Sequence, residues 1–437
     1  MRILLIISLV FPLITRAQTI EQKADALMTA YAANKKFSGV VLIAKDDSIL
    51  FQKAYGYADQ QANIPNELST EFRIASLSKM FTSTAIMQLA EAGKLSIEDP
   101  VSLYFNKIPN GSEVRIKHLL SHTSGINGSP AENNGDLQKT VASFVSNKPA
   151  FAPGEKFQYN NFNYVLLSYI VEKVSKMSLQ DYVHKHILSP LQLEHTGFDQ
   201  HSRASKFKSN GYITDPKTGL PMQATDEQIA RAYGAGAMYS NIHDLFKWSQ
   251  AVSSHKILSK RAQDQAISVF NNNYGFGWMR SGEGLEEQVG HTGMIRGFIA
   301  NFMKFPNSGY TIIFLSNYQD INGSQLSDDL KAVVFNKQYS LPVQKKVAQL
   351  DDKILSQYVG EYKLDNGFTI HISLQDNKLF ALAQGDAEKI ELTPESNNKF
   401  FLKGPETEIE FLTENNAVTH MFVNMQGGMK FKKVAAR

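Results

Sequence analysis

Ser76 and Lys79 stand three residues apart at the mouth of an apolar-periodic stretch, residues 72–93, a spacing that can build a nucleophile. On a helix their side chains share a face, and the positive end of the backbone dipole lies beside the hydroxyl. A serine hydroxyl attacks a carbonyl only when a neighbour takes its proton; a lysine kept neutral by desolvation can do that, or can help another base do it. The bland alternative is an N-capping serine with a solvated lysine one turn on. Ser-x-x-Lys also occurs at Ser205 and Lys208, Ser253 and Lys256, and Ser396 and Lys399, so the spacing alone discriminates nothing. Only Ser76 opens a long amphipathic helix directly behind an apolar run, Phe72, Ile74 and Ala75, and one face of that helix is expected to be buried.

Acyl chemistry also needs a base and donors for the oxyanion. Tyr159 and Asn161 lie two apart just before a helical pattern, following Pro153-Gly154-Glu155. At Val289-Gly290-His291-Thr292-Gly293 a predicted strand ends in a histidine, a hydroxyl and a glycine, the last permitting close backbone approach. Decoys exist here too: Tyr104 with Asn106, Tyr239 with Asn241, and His195-Thr196-Gly197. Taken singly, Tyr159 reads equally as a helix-edge aromatic, Asn161 as an N-cap and His291 as a strand-end surface residue. His118 and His122 are four apart, but with no Glu between them and no third ligand in view they are not read as a metal site.

The elements that must position these residues follow from hydrophobic periodicity. Residues 20–33 have the period of a helix with one buried face; residues 37–44 and 49–57 are strand-like and joined by a polar turn into a hairpin. Residues 96–265 are mostly helical and loop-rich, with helices expected at 165–174 and 179–188, the latter capped by Ser178 and stopped by Pro190; Ser240 or Asn241 caps another. Strand character returns at 275–279, 287–290, 298–305 and 310–316, and a last helix follows near 326–335. Both ends of this region are expected to build one antiparallel sheet, with the middle as a helical lobe and a cleft between them: an α+β fold. After a polar linker with Pro342, short alternating strands divided by Asn-, Asp- and Gly-rich turns predict a small all-β barrel or sandwich.

Composition bounds the rest. An apolar run at residues 3–14 behind Arg2, followed by Thr15-Arg16-Ala17, has the pattern of an export leader and is too short to cross a bilayer. The chain is accordingly divided into a signal peptide at 1–17, a hydrolase-like domain at 18–338, a linker at 339–350 and a barrel at 351–437, with the mature protein periplasmic or secreted and without a membrane span. Loss of Arg2 and Arg16 with the leader lowers the formal charge of +3 to about +1, which gives no reason to expect a nucleic-acid partner. The absence of cysteine excludes disulfides, thiolate metal sites and a cysteine nucleophile.

In this order and context the motifs resemble those of the penicillin-recognising serine hydrolases: class C beta-lactamase-like enzymes, related DD-peptidases and esterases. Such enzymes carry S-x-x-K, S-D-N and K-T-G motifs, and the class C-like branch uses Tyr-x-Asn for the second and often His-Thr-Gly for the third. Leu119-Leu-Ser-His-Thr-Ser-Gly125, the blocks around His195 and Tyr239, and Tyr274-Gly-Phe-Gly-Trp278 are further similarities, so the likeness spans residues 37–317. The resemblance implies that Ser76 forms an acyl-enzyme, that Lys79 and Tyr159 share the base role, and that Asn161 holds the substrate amide. It also implies an oxyanion hole from the backbone amides of Ser76 and Met294, with His291, Thr292 and Gly293 facing the substrate's carboxylate or leaving group. Neither metal nor cofactor is implied. The substrate would be a D-amino-acid or cell-wall-type peptide, then a small ester, then a beta-lactam; the alternative of another class is a catalytically slow penicillin-binding or peptide receptor. The terminal barrel resembles the lipocalin-like appendage often found behind such domains.

Two departures carry expectations. His291 stands where lysine is also common, so its charge would titrate near ~6.5, and activity on a carboxylate-bearing substrate would fall between about pH 6 and 8. Met294 stands where a small residue is common and would narrow the pocket, while Arg296 reads as a second carboxylate anchor or as a solvated side chain.

Overall fold

Gly39–Lys45 and Tyr310–Ser316 are nearly unbroken runs of Val, Ile, Leu and Phe, the composition of strands buried on both faces. In the computed structural model, which describes residues 18–130, 136–199, 205–215, 218, 220–225, 229, 232–342, 346–402, 407–415, 417–424 and 428–434, they pair at the centre of an antiparallel sheet. Its strand order is Met279–Ser281, Gln288–Ile295, Phe298–Phe305, Tyr310–Ser316, Gly39–Lys45, Ser48–Tyr55. Because successive side chains point to opposite faces, Val40, Leu42, Ile313 and Leu315 enter one core and Val41, Ile43, Ile312 and Phe314 another. The first core lies under the helical lobe; the second lies under the helices Ile20–Ala33 and Gly323–Val334. The fold is thus α+β, one sheet between two helical layers, and the leader at residues 1–17 lies outside the described residues.

The helix behind Ser76 departs from the expected amphipathic form. Every residue from 77 to 87 is buried, because the helices Asn161–Ser175, Tyr233–Gly236, Leu179–Val183 and Lys260–Ile267 all pack around Ser78–Glu91. Its polar residues are satisfied internally: Ser83 donates to Phe276 O at 2.5 Å and Thr82 to Gly234 O at 2.8 Å. Gly93, at φ +65°, ends the chain's helical path as expected. Pro190 does not stop its helix. Leu179–Val183 is capped by Ser178 and continues through a wide π turn at His184–Leu188 into Ser189–Leu191, and left-handed Gln192 makes the stop. The strand Gln288–Ile295 runs five residues beyond its expected end, so the His-Thr-Gly motif lies within it; Gly275 to Trp278, expected as strand, precede the short strand Met279–Ser281.

Eight antiparallel strands, from Gly360–Lys363 to Met429–Lys433, close into a barrel in sequential order. Tyr362, Phe400, Phe411 and Phe431 fill its interior, and Tyr358 stacks on Phe411 with ring centroids 4.3 Å apart. The lumen of this barrel is a packed core.

Candidate active site

Ser76 sits in a 3-10 turn, Ala75–Leu77, that runs directly into Ser78–Glu91. Ala75 is held at φ +47°, a left-handed backbone that costs a non-glycine residue about 1–2 kcal/mol. Ser78 holds the turn in place, donating to Ala75 O at 2.6 Å and accepting from Met238 N–H at 3.1 Å. The result is a sharp turn that lifts the Ser76 hydroxyl out of the helix while Ser78 and Lys79 point inward.

Lys79 is fully buried, and its Nζ lies 2.9 Å from Ser76 Oγ, 2.8 Å from Asn161 Oδ1 and 2.6 Å from Ala235 O. Burial drives its pKa well below the ordinary lysine range. A neutral amine has two N–H groups and one lone pair. The two acceptors that cannot donate, the amide and the carbonyl oxygens, take the N–H groups, which leaves the lone pair for the Ser76 hydroxyl proton.

Tyr159 places its hydroxyl 2.9 Å from the same Ser76 oxygen. Desolvation pushes its pKa up to about 12, against a lowering contribution from that hydrogen bond, so the phenol is protonated at neutral pH and donates. The helix after it begins at Asn161 because Asn160, not Asn161, is the cap: the Asn160 side chain accepts from Phe162 N–H at 2.9 Å. That frees the Asn161 amide to meet Lys79.

The third motif runs along the strand Gln288–Ile295 beside the 3-10 turn. A Cβ on Gly293 would lie 2.4 Å from Ile74 O and 3.1 Å from Ser76 N, so only glycine allows the strand this close to the nucleophile. His291 and Thr292 then point to opposite faces. Thr292 is exposed, whereas His291 is 3% exposed and bonded at both nitrogens. Nδ1 is 2.5 Å from Thr292 O, which can only accept, so Nδ1 carries the proton and Nε2 accepts from the Tyr274 hydroxyl at 2.8 Å. Desolvation pulls its pKa down to about 3. This corrects the expectation of a titrating cation: His291 is neutral across the physiological range and has no charge to lose between about pH 6 and 8.

Met294, 67% exposed, does not press on Ser76; its side chain lines a cavity of about 770 Å³ with Thr292, Gly293, the start of the helix Gly323–Val334, and Thr407 and Asn424 of the barrel. Among the described residues the charged groups lining it are Asp320 and Asp328. Arg296 is exposed and is not among that lining.

The decoys go elsewhere. Tyr239 pairs across a small sheet with Gly197, where a Cβ would lie 2.8 Å from the Tyr239 hydroxyl, and His195 Nδ1 sits 3.0 Å from Glu71 Oε1. Ser205 bonds Glu71, Ser253 bonds its own helix at Ser249 O, and Ser396 takes Lys399 N–H in a turn. His118 accepts the Arg115 N–H at 3.1 Å, with its pKa lowered to about 4 by burial. Sequence reasoning assigned no role to Ala235, Tyr274, Tyr164 or His122, which form the wall behind Lys79 and Tyr159. A backbone carbonyl and aromatic rings leave no spacing signature.

With the geometry in hand, comparison with known proteins places the chain. Residues 24–336 match the family described as Beta-lactamase, and residues 344–437 match a Domain of unknown function (DUF3471). Penicillin-binding protein 4* of Bacillus subtilis (strain 168) is 29% identical over 437 residues, covering 92% of this chain and 96% of that protein. Putative penicillin-binding protein PbpX of the same organism is 33% identical over 314 residues, covering 70% and 75%. Among solved structures, the octameric penicillin-binding protein homologue from Pyrococcus abyssi is 26% identical with a TM-score of 0.66, covering 94% of this chain and 99% of that one. The D-amino acid amidase from Ochrobactrum anthropi SV3, complexed with D-phenylalanine, shares the fold at 19% identity and a TM-score of 0.61, over 72% of this chain and 99% of that one.

Proposed function

The chain belongs to the beta-lactamase family and is a serine hydrolase, and we propose that it works by acylation of Ser76 on an amide substrate that needs no carboxylate for recognition. The observation that carries the reading is the Ser76 hydroxyl held between a buried amine and a protonated phenol, each 2.9 Å away. As Oγ attacks the carbonyl carbon, the Lys79 lone pair takes its proton. The carbonyl oxygen becomes an oxyanion facing the amides of Ser76 and Met294. Lys79 returns the proton to the leaving nitrogen as the C–N bond breaks; in the second half the same amine takes a proton from the attacking water and hands it to Ser76 Oγ as the ester C–O bond breaks. Asn161 keeps one Lys79 N–H engaged throughout and so keeps the lone pair aimed. This assigns the base role to Lys79 and makes Tyr159 a hydrogen-bond donor to Oγ.

For the substrate, a D-amino-acid or cell-wall-type peptide is supported by likeness to penicillin-binding protein 4* along nearly the whole chain. His291 is uncharged and offers no cation to a substrate carboxylate, which favours a substrate recognised without one. That points to an amide, as a D-aminopeptidase would cleave, ahead of a DD-carboxypeptidase substrate. The same observation, with Met294 exposed, favours a small ester as the second reading, and a beta-lactam, which carries a carboxylate, comes last. The apolar run at residues 3–14 behind Arg2 supports export, with the mature protein periplasmic or secreted; mass analysis of the secreted protein should give Gln18 as the first residue.

The test is a panel of D-amino-acid amides, D-Ala-D-Ala peptides, nitrophenyl esters and a chromogenic cephalosporin. Turnover should fall in the order amide, ester, cephalosporin, and Ser76→Ala should reduce it by roughly 10⁴- to 10⁶-fold. Equal labelling of Ser76→Ala and wild type by a fluorophosphonate would remove Ser76 as nucleophile. Stoichiometric labelling by a fluorescent penicillin without turnover of any substrate would make the protein a receptor.

A further inference from the structure

His122 is fully buried beside the catalytic groups, at φ +57°, a left-handed conformation that a non-glycine residue rarely adopts. The conformation has a consequence: the carbonyl and the imidazole of this one residue face the same neighbouring segment. Gln158 N–H donates to His122 O at 2.9 Å, and Asn160 N–H donates to His122 Nδ1 at 3.2 Å. These are the amides of the two residues on either side of Tyr159. The Tyr159 ring itself lies on the imidazole, with centroids 4.3 Å apart and planes 35° apart. One residue therefore holds Tyr159 by both flanking amides and by its ring face.

The electrostatics agree with a fixed, neutral clamp. Because Nδ1 accepts, the proton of the neutral ring is on Nε2, and that buried atom meets no hydrogen-bond partner among the described residues. Tyr164 and Tyr274 close around the ring at 5.2 and 5.0 Å. A buried donor left without an acceptor costs about 1–3 kcal/mol, and a packing role alone would be met at lower cost by an apolar ring. What an apolar ring cannot supply is the acceptor for Asn160 N–H.

We propose that His122 is a positioning residue for acylation, gripping the segment on both sides of Tyr159 so that the phenol hydroxyl is delivered to Ser76 Oγ. This rests on Tyr159 acting at Ser76, and the experiment separates the two ideas. His122→Asn keeps a residue that tolerates the left-handed backbone and removes the ring and its acceptor; His122→Phe keeps the ring and removes only the acceptor. Each is measured alone and combined with Tyr159→Phe, by the rate of fluorophosphonate labelling and by single-turnover acylation with nitrophenyl acetate, with folding checked by thermal melting.

A loss of roughly 10- to 100-fold in acylation is expected for each single variant, since a misplacement of about 1 Å can cost that much, with KM little changed. The double variant should be no slower than Tyr159→Phe, because a clamp has nothing left to position once the hydroxyl is gone. Multiplicative losses, or wild-type rates in either folded His122 variant, would overturn the clamp while leaving Tyr159 in place. A wild-type rate in Tyr159→Phe would overturn the Tyr159 reading and this one with it. Should His122→Asn fail to fold, His122→Phe completes the cycle.

Discussion

Two groups, Lys79 and Tyr159, converge on Ser76 Oγ, and their protonation states decide how it can react. Lys79 is neutral because it is buried and, among the described residues, meets no carboxylate; Tyr159 is protonated because the same burial pushes the phenol up to about 12. The sign of the pH dependence follows. Protonating Lys79 removes the lone pair that accepts the serine proton, so kcat/KM for an uncharged amide should fall as the solution is acidified through the depressed lysine pKa. Above it the profile should stay level well into the alkaline range, because neither Tyr159 nor His291 changes charge there. A pH series on one amide checks this; a descending step between about pH 6 and 8 would show that a histidine had been left out.

At the scale of elements, the site depends on how closely a strand can approach a turn. Gly293 is the point of contact between the strand Gln288–Ile295 and the turn Ala75–Leu77, and the atoms it faces are backbone, which cannot swing aside. Gly293→Ala should therefore push the strand away from Ser76, moving the Met294 amide with it. A fall in acylation of roughly 10²-fold is expected from the lost oxyanion donor, together with about 1–3 kcal/mol of destabilisation from overpacking. Acylation kinetics alongside chemical denaturation would read both. A melting change with full activity would separate the close approach from the chemistry.

At the scale of the whole molecule, the barrel meets the first domain at a shared cavity. Its own lumen is filled by Tyr362, Phe400, Phe411 and Phe431, while Thr407 and Asn424 line a cavity that Thr292 and Gly293 also line. A bulky residue there should act on what enters the cavity and not on the nucleophile. Asn424→Trp is expected to raise KM for long peptide substrates several-fold while leaving fluorophosphonate labelling and small-ester turnover unchanged, the signature of lost substrate binding without lost transition-state stabilisation. Equal KM values for long and short substrates in this variant would make the barrel a spacer.

Much of this was legible in the residues. The two central strands, the first helix and the turn-rich barrel follow from periodicity, and Ser76, Lys79, Tyr159 and Asn161 could be picked out by the order and context of motifs that resemble a known family, since each spacing by itself recurs elsewhere in the chain. The tertiary structure alone decided the electrical state of the site. His291 looks like a cation in the sequence and is a neutral, doubly bonded ring in the fold, since charge depends on burial and on neighbours such as Tyr274 that the fold brings in. Ala235 O and His122 were invisible for the same reason: a carbonyl has no sequence signature, and the value of His122 comes from a backbone angle and from a segment some 40 residues away. Spacing along a chain records which groups are present; only packing sets the distances and the dielectric that determine what those groups do.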